Sequence, residues 1–146
     1  MSRIISVISL CLIGVILSLL VVAVVSATPL RHAVQLTPVI IALVAIVRRA
    51  DWGKYAALPL FIFWFVLMLF IWLYLLGIAQ VLSGRFTPAE IICTVVIGVC
   101  CVCGVVASLR GPLLVSRTSS VLLFIVFAAF QVAAMWLSFR PSISHH

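Results

Sequence analysis

Acidic side chains are nearly missing from this sequence. Asp51 and Glu90 are the only two among 146 residues, and charged residues of all kinds make up 8%. An ordinary soluble domain carries about 25%. A chain this poor in charge cannot coat a compact fold with groups that water solvates well. Two acids in different segments also leave little room for paired-carboxylate catalysis. Histidine is scarce too: His32, His145 and His146 are the only three. None lies in an apolar run at a depth where it would ligate a haem. No histidine accompanies a serine or cysteine as a base, and no glycine-rich phosphate loop occurs. Loop cysteines are absent, since Cys11, Cys93, Cys100, Cys101 and Cys103 all lie within apolar runs. That placement does not read as a secreted disulfide framework.

Apolar residues are what the chain has instead, at 67% of the total. They fall into five runs, at 4–25, 29–47, 57–79, 91–108 and 121–138. A spanning helix needs about 20 such residues. Backbone polar groups must be satisfied internally in hydrocarbon, so runs of this length are helices. Continuous apolarity without alternation argues against a β-barrel. The expected fold is all-α, one transmembrane bundle of five helices.

Two of the five runs carry an ambiguity. Arg3, the first apolar run and the small residues Val25-Ser26-Ala27 resemble a signal peptide, and cleavage there leaves four helices. A signal core is about 7–15 residues, shorter than this run, which favours an uncleaved helix. The second run contains Arg31, His32, Gln35 and Pro38. Thr28-Pro29 starts it at full length with Pro38 as a kink, whereas a start at Thr37-Pro38 makes it short and re-entrant. Pro59 suits the first turn of the third helix.

The net charge of +7 suggests nucleic acid in a soluble protein, but no basic face is present. The cations stand at the ends of apolar runs, where they anchor helices and meet anionic headgroups. With five spans and the N-terminus inside, Arg3, Arg48, Arg49, Lys54, Arg110 and Arg117 face the cytoplasm. Arg31, Arg85 and Arg140 face outward. This obeys the positive-inside tendency and places loops 48–56 and 109–120 inside. Omitting the second span reverses the ratio. Trp52 and Tyr55 beside the basic cluster fit an interfacial belt, and Asp51 pairs locally with its basic neighbours.

Thr87-Pro88-Ala89-Glu90 is a capping box with proline in the first turn, so Thr87 and Glu90 are expected to cap the fourth helix. That role accounts for Glu90 better than proton coupling does. Cys100 and Cys103 form a C-x-x-C, but Cys100 lies about 15 Å along the helix from Glu90, near mid-bilayer, with no loop cysteine to relay electrons. Packing explains these thiols better than redox chemistry. Cys100, Gly104 and Ser108 make a stripe of small residues that lets helices approach closely. Ala129 and Ala133, with Gly14 and Ser18, are the expected opposing surfaces. Gln131, deep in the fifth run, is expected to hydrogen-bond to a neighbouring helix. Gln35 and Gln80 are expected near helix ends within reach of water. The aromatic residues of the third run surround it without forming a face.

The stretch from Gln35 through Arg48-Arg49-Ala50-Asp51-Trp52-Gly53-Lys54-Tyr55-Ala56-Ala57-Leu58-Pro59 to Ser83-Gly84-Arg85-Phe86-Thr87-Pro88-Ala89-Glu90-Ile91 resembles a group of uncharacterised small hydrophobic multi-pass proteins of bacterial inner membranes. The resemblance implies that location and no activity. From the residues themselves, a non-catalytic role without cofactor is expected. The chain would be an accessory subunit that packs against itself or a larger membrane complex. A small homo-oligomeric transporter or channel is the alternative. A hairpin duplication is a further reading, because segments two–three and four–five both begin with Thr-Pro and both turn through a basic loop.

Overall fold

The computed structural model describes residues 2–79, 86–110 and 115–140. They form five helices: α1 (Ser2–Val25), α2 (Pro29–Val47), α3 (Gly53–Leu75), α4 (Pro88–Arg110) and α5 (Arg117–Ser138). All five are long and apolar enough to cross a membrane. The helix in the second run is continuous through Pro38. Its 19 residues span about 28 Å, close to the hydrocarbon thickness. The full-length reading is therefore the one adopted, not the short re-entrant one.

The helices run up and down. Helices α1, α2, α3 and α4 close a four-helix ring in which each packs on its neighbours. Helix α5 lies outside the ring, seated against α2 and α3. Among the described residues α5 does not touch α4, although the two are consecutive. The two Thr-Pro hairpins therefore pack differently: α2 meets α3, whereas α4 and α5 stand apart. Phe61, Leu60, Ile8, Leu12, Leu36 and Ile97 are the large side chains at the centre of the ring.

Helix ends depart from expectation mostly by extending outward, and at the end of α3 by stopping early. Helix α3 starts at Gly53, four residues earlier than expected, and stops at Leu75. Pro59 therefore lies in the helix interior rather than its first turn. Arg110 and Arg117 are likewise inside α4 and α5. Basic side chains extend an apolar helix because their stems lie along it while the charge reaches the interface. Counting charges as loop residues thus trims the start of α3 and α5 and the end of α4.

Helices α1, α2 and α3 end in the same six-residue device. The Thr28 N–H donates to the Ala23 carbonyl (3.0 Å) and the Ala27 N–H to that of Val24 (3.2 Å). Ala50 and Arg49 repeat this on Ala45 and Ile46, and Ile78 and Gly77 on Leu73 and Tyr74. These are Schellman caps, which satisfy the last carbonyls of a helix and need a left-handed residue. Gly77 takes that conformation (φ 72°) without a steric cost, whereas Ala27 (φ 53°) and Arg49 (φ 57°) take it with one.

Candidate functional site

Helices α2 and α5 are joined by a polar seam inside otherwise apolar surroundings. Gln131 and Ser138 are 0% exposed and Gln35 is 3% exposed. The Gln35 amide nitrogen donates to Ser138 Oγ (2.9 Å) and to Met135 Sδ (3.2 Å). Ser138 Oγ donates in turn to the Met135 carbonyl (2.6 Å). The Gln131 amide nitrogen donates to the backbone carbonyl of Gln35 (3.3 Å). Pro38 lies three residues after this acceptor and lacks the N–H that would donate to the Val34 carbonyl, its neighbour in the same turn. Gln131 Oε1 is buried with no hydrogen-bond partner.

Gln131 bonds to a neighbouring helix, and Gln35 is its partner. Gln35 is not at a wet helix end, as its position in the sequence suggested. Two polar residues in the first turns of an apolar run read as boundary markers, and only the packing of α5 reveals one as buried. Gln80 lies outside the described residues. At the outer rim of the seam the Arg31 guanidinium stacks on Phe139 (4.1 Å) and that of Arg140 on Trp136 (4.4 Å). His32 is buried and its Nδ1 sits 3.0 Å from the Thr28 carbonyl.

The small residues of α4 meet two different helices. Cys100 faces α1, where a Cβ added at Gly14 would come within 2.6 Å of its sulfur. Gly104 faces α3, where an added Cβ would overlap the Phe61 ring. Gly98 similarly receives the Trp72 indole. Ser108 is buried and its hydroxyl has no partner. Ala129 and Ala133 do not oppose this stripe. Both are exposed on α5, which makes no contact with α4 among the described residues. Covalent proximity in sequence does not decide which helices pack.

Cys11 and Cys101 are buried in the core, with Cys100 packed against it, whereas Cys103 is exposed. All five cysteines are free thiols. No group of three His, Cys, Asp or Glu residues that could hold a metal ion occurs among the described residues.

Two further polar links lie at helix ends and between helices. Thr87 and Glu90 form reciprocal bonds: the Thr87 N–H donates to Glu90 Oε2 (2.7 Å), and the Glu90 N–H to Thr87 Oγ1 (3.3 Å). The Trp72 indole N–H donates to Thr94 Oγ1 (3.0 Å), tying α3 to α4. Thr94 escaped notice in the sequence, since threonine in a helix normally bonds its own backbone; here it does that as well, at Ile91.

The basic residues Arg48, Arg49 and Lys54 flank the α2–α3 turn, the two arginines exposed. Trp52 lies at the surface and its ring meets Phe127 at 5.9 Å. Tyr55, unlike Trp52, is buried against its neighbours. Its place in the first turn of α3 turns it toward α5, where it lines an apolar groove with Leu58, Ser120, Val121 and Phe124.

Comparison with family models, with curated proteins and with solved structures finds no match to this chain.

Proposed function

We propose that this protein is a non-catalytic subunit of a bacterial inner membrane, packing there against itself or a larger complex. The single observation that supports this reading is how its deep polar groups are used. The side chains of Gln35, Gln131, Ser138, Trp72 and Thr94 bond helix to helix. Polar groups that fasten helices together serve assembly rather than passage. Helix α5 is the least buried of the five, and its outer face from Val121 to Trp136 supplies the contact surface.

The proposed orientation puts Arg48, Arg49 and Lys54 in the cytoplasm, beside anionic headgroups. Single cysteines introduced at Arg49 and at Pro29 in a cysteine-free background test it. Reagent added from outside cells should label position 29 and not position 49; the reverse pattern discards the orientation. Capture from native membranes after crosslinking at Ala133 tests the subunit role. A defined stoichiometric partner supports it, whereas self-association alone favours the transporter reading below. A monomer that conducts solute in proteoliposomes overturns it.

A second reading, a small oligomeric transporter or channel, draws on the unpartnered acceptor of Gln131. It requires solute flux that Gln131→Leu abolishes in a protein that remains folded.

A further inference from the structure

Helices α3 and α5 run parallel, so their N-termini lie at the same end of the molecule. Neither has an acidic residue in its first turn. Each has a cation there instead, Lys54 and Arg117. This runs against the ordinary preference, because the N-terminus of a helix already carries partial positive charge and favours an anion. Two cations therefore stand at the starts of these two helices, at the end of the molecule where α2 and α4 finish. Asp51, three residues before Lys54, is the only carboxylate among the described residues at this end.

Immediately below that region lies the groove formed by Tyr55, Leu58, Ser120, Val121 and Phe124. The Lys54 ammonium sits 4.8 Å from the ring centre of Tyr55, one of the groove's walls. Arg117 is one turn before Val121 and lines a more open apolar furrow on that residue's other side, with Leu122 and Ile125. The combination sets two cations beside one apolar groove.

We propose that this groove binds an anionic phospholipid, with its phosphate between Lys54 and Arg117 and one acyl chain along Leu58, Val121 and Phe124. Arg117 supplies a planar fork suited to phosphate oxygens and Lys54 a point charge. The lipid completes the groove between two helices that would otherwise share an open seam. The site stands whether or not a protein partner exists. The proposed orientation decides only which leaflet supplies the lipid.

Native mass spectrometry of the full chain tests the proposal. The protein is taken in mild detergent with equimolar phosphatidylglycerol and phosphatidylcholine of identical acyl chains. One phosphatidylglycerol should be retained in preference. Arg117→Ala and Lys54→Ala should each reduce that preference about fivefold. Val121→Trp, which fills the groove, should reduce retention of the lipid itself. Arg110→Ala removes a cation at the same end, on a helix that does not touch α5, and should leave the preference unchanged. Equal retention of the two lipids overturns the proposal. So does a loss in Arg110→Ala equal to that in Arg117→Ala, because the attraction would then belong to the whole basic surface. Arg117 and Arg110 are exposed, so these two variants keep the comparison valid even where Val121→Trp fails to fold.

Discussion

At the scale of single residues, two glutamines on one seam are expected to differ in value. Gln35 makes two side-chain bonds, and its removal leaves Ser138 still donating to its own backbone. Gln35→Leu therefore loses the bonds without creating an orphan donor, and should cost about 1–2 kcal/mol. Gln131 makes one longer bond while its oxygen has no partner. In Gln131→Leu the lost bond is offset by removal of a buried acceptor that had no donor. The net change should stay below about 0.5 kcal/mol. Thermal unfolding of both variants in one detergent checks the order; a larger loss in Gln131→Leu would show that its oxygen has a role in the folded protein. Gly104 is more sensitive than either. Leucine there must displace the Phe61 ring at the centre of the bundle. Overpacking typically costs about 1–3 kcal/mol, and Gly104→Leu should reach the upper part of that range or fail to assemble. A variant with unchanged unfolding temperature would refute the packing described for α4.

At the scale of elements, the caps allow a backbone effect to be isolated. Ala27 holds a left-handed conformation that glycine adopts freely. Ala27→Gly should raise stability by about 0.5–1 kcal/mol. Gly77 is the mirror case: its surroundings are open within 4 Å, so Gly77→Ala meets no clash and reports φ alone. It should lower stability by about 1 kcal/mol. Opposite signs in the two unfolding curves are the expected result, and like signs would contradict the shared cap. Element number and type were readable from run length, because hydrocarbon leaves a long apolar segment no alternative to helix. Thr28-Pro29 marked the start of α2 correctly, and Thr87 with Glu90 the start of α4. The end of α3 was misplaced because Gly77 lies inside a run of apolar residues, where nothing but backbone geometry distinguishes a turn. The seam was half visible. Gln131 stood out as polar at depth, whereas Gln35 shared its turn with Arg31 and His32 and looked like part of a boundary. Which helix Gln131 would meet depended on tertiary packing, which run length does not encode.

At the scale of the whole molecule, the ring of four helices and the outlying fifth are held together unequally. Contacts of α5 are confined to α2 and α3. They include the buried seam at one end and the Trp52–Phe127 ring pair toward the other. Among the described residues α4 and α5 therefore offer each other no docking surface, and the chain is expected to be divisible between them. Fragments 1–112 and 113–146, produced together from separate reading frames, should find one another in the membrane and co-purify. Gln35→Leu in the longer fragment should weaken their recovery several-fold, where the same change in the uncut chain is mild, because the intact polypeptide keeps α5 at high local concentration. Recovery of the pair would make the last helix a part that another chain can donate.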